Sequence, residues 1–356
     1  MNNGSLWLWL LAASSLFGSA ADAKDDVCEV VKLTKIELQM RPEVSSEILV
    51  PVKMGDSDAW MVLNAGSAFS VLMEKAASSL RLPVREVRSS GAWIEFGGKT
   101  LDRLATVDSF QLGTVHYGKG TEFLVWSRPG PLNSYKGLPI IGLLGMDVFS
   151  HVDVELDLAR RTLNLFAQES CGGGVYWSRT FASVPILRSP FGNLYFPMEL
   201  EGKWIKTTFS TVSPESSLRT DVSKRVFGFD ERSSGNEVDG SSGKQATYYR
   251  AMKLTTPGLT VTNAKIRLRE PPRGCSVDVP GRASNGVGYE GCGGVYPMAL
   301  GLSVLQKLHL YFATKENVLY FTAADAPQTE VSATPISAVP ATAPAPTPGD
   351  APAAGK

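Results

Sequence analysis

The chain has 356 residues, with 35 basic and 35 acidic side chains, so its formal net charge at pH 7 is zero. This length is enough for one large or two ordinary domains with a substantial core. The balanced charge and the lack of a polybasic block argue against a nucleic-acid partner. The 34 glycines and 22 prolines indicate many turns, which is typical of an all-β chain.

Residues 1–23 are predicted to be a secretory signal peptide. An apolar run at 6–11 is followed by small residues, and Ala-Asp-Ala at 21–23 fits the cleavage pattern. Residues 1–3 carry none of the basic side chains that usually open such a signal. The alternative is an uncleaved membrane anchor, but the apolar part is short for a span. We therefore expect an exported protein, periplasmic or secreted, with no stable membrane span after cleavage.

Export makes disulfides possible, and the four cysteines allow three pairings. Cys275 and Cys292 are close in sequence and lie among glycines and prolines, which favours a bridge that closes one loop. This leaves Cys28 to pair with Cys171, a bridge that would tie the first strand of the N-terminal half to its last. The cysteine spacings and the three scattered histidines fit no zinc pattern, so no metal and no other cofactor is expected.

The N-terminal half reads as strands separated by turns. Strands are expected over residues 30–38, 47–54, 60–63, 92–96, 101–112, 122–126, 152–157 and 162–166, with short helices at 74–82 and 146–149. Residues 138–145 are an apolar run interrupted by glycines. The apolar run 60–63 ends in a small-residue turn that would project residue 64 from the end of a buried strand. The alternation of apolar and acidic residues over 152–157 predicts a half-buried strand.

An internal repeat relates the two halves of the chain. Residues 195–218 align with residues 49–72 without a gap, which superposes Pro197 on Pro51 and Ser210 on Asn64. The apolar-glycine element at 299–305 likewise aligns with the one at 143–149, and a hairpin follows each of them. We therefore expect two related lobes, residues 24–171 and 172–322. Residues 323–356 are rich in alanine and proline and are expected to be a disordered tail.

Two such halves, each with a strand that ends in a small-residue turn and a later apolar-apolar-glycine element, resemble the pepsin and retropepsin superfamily. The run 142–149, followed by 153–157 and 160–163, is most similar to bacterial exported aspartyl-protease-like proteins. The resemblance covers residues 30–322. It implies an all-β, pepsin-like bilobal fold, with two pseudo-symmetric six-stranded barrel-like lobes and a cleft between them. It also implies a hairpin flap in each lobe, for which residues 92–104, turning at Gly97-Gly98, are the candidate in the first.

Active members of this superfamily carry one aspartate in an Asp-Thr/Ser-Gly turn of each lobe, and the two carboxylates share a proton. This chain has Asn-Ala-Gly-Ser at 64–67 and Ser-Thr-Val-Ser at 210–213. Neither an amide nor an alcohol titrates near the working pH, so no catalytic residue is assigned. Val212 also puts a β-branched residue in place of the glycine, which predicts a changed turn.

The other acidic residues near these motifs are interpreted structurally. Asp147 is expected to cap the short helix at 146–149, while Asp153 and Asp157 face solvent or bind the Arg160-Arg161 turn. A role for any of them as a replacement catalytic carboxylate is the alternative. His309 is expected to be a packing or surface residue of a strand.

The sequence therefore predicts a monomeric pseudoprotease that binds a peptide or protein partner in its cleft by strand addition. The alternatives are an aspartic-type endopeptidase that uses substitute residues, and a structural envelope protein with a vestigial cleft. The candidate binding residues are the two turns and an aromatic residue on the flap, namely Asn64, Ala65, Gly66, Ser67, Trp93, Ser210, Thr211 and Ser213.

Overall fold

The computed structural model describes residues 30–41, 47–87, 94–96, 99–127, 130–168, 173–189, 192–240, 246–271 and 296–324. Several expectations lie outside these residues: the signal peptide, the four cysteines with their proposed bridges, Trp93, the Gly97-Gly98 turn and the tail from residue 325 onward. In the described part of the chain, no helix is both long enough and apolar enough to cross a membrane.

Strands dominate both halves of the chain. Those of the N-terminal half are β1 (Lys32–Glu37), β2 (Gln39–Met40), β3 (Ile48–Met54), β4 (Ser57–Leu63), β5 (Val71–Met73), β6 (Val84–Glu86), β7 (Ile94–Phe96), β8 (Lys99–Leu101), β9 (Arg103–Val107), β10 (Phe110–Leu112), β11 (Val115–Tyr117), β12 (Thr121–Trp126), β13 (Ser134–Tyr135), β14 (Leu138–Leu144), β15 (Val152–Asp157) and β16 (Thr162–Ala167).

The C-terminal half follows the same plan with fewer breaks. Its strands are β17 (Ala182–Pro185), β18 (Leu187–Arg188), β19 (Leu194–Leu200), β20 (Lys203–Phe209), β21 (Ser216–Arg219), β22 (Glu237–Asp239), β23 (Thr247–Thr256), β24 (Leu259–Arg269), β25 (Met298–Leu300), β26 (Leu308–Ala313) and β27 (Val318–Ala323). The helices of the described residues are all short: α1 (Glu74–Ser79), a 3₁₀ turn (Met146–Phe149), α2 (Thr220–Val222) with a π-helical turn (Ser223–Phe227), and α3 (Leu302–Leu305).

One six-stranded sheet is shared by the two halves. Its strand order is β1-β16-β15-β26-β27-β17, so three strands come from each half in mirrored order. At its centre β15 and β26 are antiparallel, with Leu156 opposite Leu310. The apolar core continues from one half to the other, and the rings of Phe209 and Phe312 are 5.1 Å apart within it.

Each half also forms a sheet of its own, with eleven described strands in the first and eight in the second. In the first sheet β4 is parallel to β14, which is antiparallel to β5, which is parallel to β12. In the second sheet β20, β25, β21 and β24 repeat these three pairings in the same order. The expected all-β bilobal fold is therefore confirmed. The strand numbers exceed six per lobe because short edge strands and bent hairpins add to each sheet.

The strand β15 differs from its expected half-buried state. All six of its residues are buried, because it lies at the middle of the shared sheet with side chains covering both faces. The polar face is covered by the segment around Trp177, whose ring stacks on His309 at 3.8 Å. An alternating polar pattern therefore marks a buried polar layer here rather than a solvated face.

Candidate functional site

The turns that follow β4 and β20 have the same backbone hydrogen bonds. Asn64 N–H donates to the carbonyl of Leu144 and Ser210 N–H donates to the carbonyl of Leu300, both at 2.8 Å. Three residues later, Ser67 N–H donates to the carbonyl of Asn64 at 3.0 Å, and Ser213 N–H donates to the carbonyl of Ser210 at 3.4 Å. Asn64 and Ser210 therefore occupy equivalent positions.

A buried serine supports each turn from behind. Ser70 Oγ accepts a hydrogen bond from Gly145 N–H at 2.9 Å, and Ser216 Oγ accepts one from Gly301 N–H at 3.0 Å. A Cβ at either glycine would come within 2.5 Å of backbone atoms of the neighbouring segment. The apolar-apolar-glycine element is thus explained by close backbone approach, because only glycine leaves room for it.

Thr211 joins the two turns. Its hydroxyl donates to the Leu63 carbonyl at 2.6 Å and accepts from Ala65 N–H at 3.0 Å. Thr211 has no exposed surface, so both bonds are shielded from water. The equivalent position in the first turn is Ala65, which has no hydroxyl. The contact between the turns therefore uses one hydroxyl where a symmetric arrangement would use two.

Gly66 and Val212 are equivalent in position but not in surroundings. A Cβ at Gly66 would lie 2.2 Å from the carbonyl oxygen of Phe209, so the first turn packs directly on the end of β20. Val212 is 37% exposed. The second turn keeps the hydrogen-bond pattern of the first despite Val212, and its closing bond is longer, at 3.4 Å against 3.0 Å.

The side chains at the two key positions are partly exposed. Within the described residues, neither the Asn64 amide nor the Ser210 hydroxyl has a hydrogen-bond partner in the protein. Both groups therefore remain available to solvent or to a ligand. They can donate and accept hydrogen bonds, but they cannot form the proton-sharing carboxyl pair of an aspartic protease.

Asp147 lies at the start of the short helix, where the backbone N–H groups of Asp147 and Val148 favour its charged form, and it also supports the first turn. Its Oδ2 accepts from Ser70 N–H at 2.8 Å and its Oδ1 accepts from the Ser70 hydroxyl at 2.6 Å. Burial raises the pKa of Asp147, and the hydrogen bonds from Ser70 oppose this rise only in part. The equivalent residue of the second lobe is Ser303, so the carboxylate has no symmetric counterpart.

The remaining acidic candidates belong to the shared sheet. Asp157 binds Arg160 at 2.6 Å, as expected. Asp153 is buried instead of solvent-facing and accepts a hydrogen bond from Thr314 N–H at 2.8 Å. Glu155 lies between them in β15 and contacts His309 Nε2 at 2.9 Å. His309 is buried, so of the two roles expected for it, packing and surface, it has the packing role.

One contact beside the first turn was missed in the sequence. Asn193 Oδ1 accepts a hydrogen bond from Ala68 N–H at 2.9 Å, and Tyr296 donates its hydroxyl to the Asn193 carbonyl at 3.2 Å. The second lobe thereby holds the first turn from a further side. The repeat alignment sets Glu47 opposite Asn193, so the repeat gave no signal for an amide here.

The candidate flap of the first lobe is a hairpin made by β7 and β8. These two strands form a separate antiparallel pair, in which Ile94 lies opposite Leu101. Leu101 packs against Val71 and Leu124, on strands that lead away from the first turn. The hairpin therefore packs, through Leu101, on a group of side chains that includes Phe69, five residues after Asn64.

The structure brings the predicted turn residues of both lobes together around Thr211, while Trp93 lies outside the described residues. In the described part of the chain, no group of three His, Cys, Asp or Glu side chains is placed to hold a metal ion. The paired turns, the mirrored sheets and the shared six-stranded sheet define a pepsin-like bilobal fold.

The comparisons with known proteins agree with this class. Residues 50–148, which contain the first turn and its supporting glycine, match the family model described as aspartyl protease. No curated protein matches the chain. The family model thus covers only part of the first lobe and ends before β15.

Three solved structures are similar over most of the chain. The aspartic proteinase from Irpex lacteus is 11% identical, covers 83% of this chain and 99% of its own, and has a TM-score of 0.49. The structure of edgp is 10% identical, with coverages of 82% and 94% and a TM-score of 0.46. Conglutin gamma, a basic 7S globulin from lupine seeds, is 11% identical, with coverages of 83% and 95% and a TM-score of 0.44. Likenesses at this level carry no argument about function.

Proposed function

We propose that this protein is an exported pseudoprotease of the aspartic-protease fold, which binds a peptide or protein segment in the cleft between its lobes. The observation that carries the proposal is the pair of turns joined by Thr211, with Asn64 and Ser210 at the two equivalent positions. Catalysis in this fold requires a proton shared by two carboxylates at these positions. An amide and an alcohol cannot supply it.

The supporting structure around the turns favours a binding role over a vestigial cleft. Gly145 and Gly301, with the serines behind them, still hold both turns in matching backbone conformations. The β7–β8 hairpin still packs beside the first turn. An extended segment entering there would add main-chain hydrogen bonds to a preformed surface, as in strand addition.

The alternative is an endopeptidase that uses substitute carboxylates, and Asp147 is the acid in contact with the first turn. Both of its oxygens already accept hydrogen bonds from Ser70. Ser303 at the equivalent position has no carboxylate to share a proton with it. These two features disfavour Asp147 as a catalytic acid.

The reaction is tested by incubating purified protein with casein and a peptide library from acidic to neutral pH. We expect no cleavage. Cleavage that pepstatin inhibits would contradict the pseudoprotease proposal and favour the endopeptidase. The matched variant is Asn64→Asp/Ser210→Asp/Val212→Gly, which restores both carboxylates and the second glycine, and any activity it gains shows that the assay detects this fold.

Binding is tested with fluorescent peptide pools and two matched tryptophan variants. Val212→Trp fills the space beside the second turn and is expected to abolish binding. Val31→Trp adds the same bulk at a residue of the shared-sheet edge that is 50% exposed, and is expected to leave binding unchanged. Equal binding by both variants, or no binding by the unaltered protein, would contradict a role for the cleft.

A further inference from the structure

Each lobe has a sheet face beside its turn, and the two faces are related by the internal repeat. In the first lobe this face, here called the first face, consists of Phe69, Val71, Leu124, Trp126 and Leu143. The alternate side chains of β5 and β12 point into the lobe core, so the first face is on the other side of these strands. Phe69 comes from the turn segment and Leu101 of the hairpin packs on Val71, so the first face lies between the turn and the hairpin.

The strand registers identify the equivalent residues of the second lobe. Val71 lies opposite Leu124 in a parallel pair, and Ser217 lies opposite Arg267 in the matching parallel pair. One step along the same face, Trp126 lies opposite Met73 and its counterpart Arg269 lies opposite Arg219.

The second face differs from the first in most of its chemistry. Glu215, Ser217, Arg267, Arg269 and Ala299 stand where the first face has Phe69, Val71, Leu124, Trp126 and Leu143. Tyr249 stands where Leu104 packs against the first face. The first face is thus an apolar cluster, whereas the second is polar and rich in arginine. The asymmetry arises at residues that both lobes place beside their turns.

Other cations around the second face are already neutralised. Arg219 is fully buried and makes a two-pronged salt bridge to Asp221 at 3.0 and 2.6 Å. Lys265, next along β24, pairs with Glu237 at 2.9 Å. The acid of the second face, Glu215, accepts a hydrogen bond from the Tyr249 hydroxyl at 3.5 Å.

Arg267 and Arg269 have no such partners among the described residues. No carboxylate there lies within 4.0 Å of either guanidinium. Arg269 donates from Nη2 to the Tyr296 carbonyl at 3.2 Å, while its buried Nε–H has no acceptor. Burial, and then the charge of Arg219, lower the pKa of Arg269, and the carboxylate of Asp221 opposes this lowering in part. An added carboxylate would satisfy the free donor and offset this unfavourable environment.

We propose that the second face binds an acidic side chain of an extended peptide whose neighbouring apolar side chain contacts the partly exposed members of the first face, Phe69, Trp126 and Leu143. This inference rests on the proposed binding function and specifies its ligand class. Adjacent side chains of an extended chain point in opposite directions, so a segment lying between the lobes presents one to each face. A carboxylate at the second face receives charge-assisted hydrogen bonds from guanidinium groups, whereas a lysine there meets like charge.

The test uses fluorescent peptides that differ only at two adjacent central positions, filled with Leu-Glu, Leu-Gln, Leu-Lys or Leu-Leu and with each reversed pair. Affinities are measured by anisotropy on the full chain. We expect the pairs of leucine with glutamate to bind tightest, in at least one of the two orders. Added salt is expected to weaken these pairs more than Leu-Leu, because the arginine contacts are partly exposed.

Three variants locate the preference. Arg267→Gln and Arg269→Gln are each expected to weaken glutamate peptides about tenfold, the size of a lost charge-assisted hydrogen bond, and to leave Leu-Leu unchanged. Arg267→Glu is expected to reverse the preference from glutamate to lysine. The control Arg161→Gln removes an exposed guanidinium in the turn between β15 and β16 and is expected to change nothing.

Arg267 is exposed, so its variants test the proposal even if the more buried Arg269 proves necessary for folding. Binding that shows no preference for glutamate over glutamine and lysine, or a preference that survives Arg267→Glu, overturns this inference alone. Failure of every peptide to bind overturns both this inference and the proposed function.

Discussion

At the scale of single residues, the site is decided by a few atoms around Thr211. Its hydroxyl satisfies one carbonyl and one N–H of the opposite lobe, and Ala65 offers nothing in return. Asn64 and Ser210 beside it keep polar groups but no titratable carboxyl. The chain therefore has one of the two hydroxyl groups that could join the turns, and it has no carboxyl group at position 64 or 210.

Replacing Thr211 with valine keeps the shape of the side chain and removes its hydroxyl. The Leu63 carbonyl and the Ala65 N–H would then be buried without partners, at about 1–3 kcal/mol for each group. Thr211→Ser keeps the hydroxyl and is the matched control. Urea unfolding should give a clearly lower free energy for the valine variant than for the serine variant, and equal values would show that the hydroxyl is unimportant.

Asp147 predicts a pH dependence of stability. Its pKa in the folded protein is raised above its ordinary value of 3.8 by burial, so the folded state binds the proton more tightly than the unfolded chain. Its contribution to stability is therefore greatest at low pH. It falls as the pH rises from the ordinary value through the raised one.

Asp147→Asn removes this titration. The free energy of unfolding of the unaltered protein, minus that of the variant, should decrease between pH 4 and neutrality. The measurement is urea unfolding of both proteins over this range. A difference that stays constant or increases would contradict a raised pKa.

At the scale of elements, the turns depend on strands that approach unusually closely. Gly145 and Gly301 each end an apolar run, and each donates to the serine behind its turn. The same apolar residues that look like an ordinary buried strand thus carry a specific backbone contact. The short helices that follow, at 146–149 and 302–305, begin directly at these glycines.

Gly301→Ala should strain the second turn, because its Cβ would lie 2.2 Å from backbone atoms of Glu215. Backbone cannot rotate away as a side chain can, so the variant should lose about 1–3 kcal/mol or more. Gly118→Ala is the control, since nothing lies within 4 Å of the added methyl group. Thermal unfolding of the pair gives the comparison, and a stable Gly301→Ala protein would show that the turn can shift freely.

At the scale of the whole molecule, the two lobes are held as a unit by the shared sheet. The buried polar layer on β15 and β26 contacts the segment near Trp177, whose indole N–H donates to Thr322 Oγ1 at 3.1 Å. The shared sheet therefore joins the two lobes, and the contact of Asn193 with Ala68 is a second connection between them.

The proposed export predicts a shortened mature chain. If residues 1–23 are a cleaved signal, the exported protein should begin at Lys24 when sequenced from its N-terminus. Ala21→Asp/Ala23→Asp should block processing, because the cleavage site requires small residues. An unprocessed chain that stays with the membrane fraction would favour the anchor instead.

The all-β class, the internal repeat and the positions of both turns could be predicted from the sequence. Apolar periodicity and the positions of glycines depend on local backbone geometry and on the faces of single strands, and both can be recognised in the sequence. The pairing of Asn64 with Ser210 followed from the same alignment.

Other features were decided only by tertiary structure. The contact of Asp147 with Ser70 was not predicted and Asp153 was misinterpreted, because their partners, Ser70 and Thr314, come from distant segments that sequence spacing does not reveal. The strand β15 was predicted to be half-exposed because its alternating sequence shows that its two faces differ. The alternation does not show whether either face contacts water. The contrast between the apolar first face and the arginine-bearing second face likewise required the strand register. The sequence by itself determined which residues occupy the two turns, and the fold determined what surrounds them, because burial and contact depend on segments far apart in the chain.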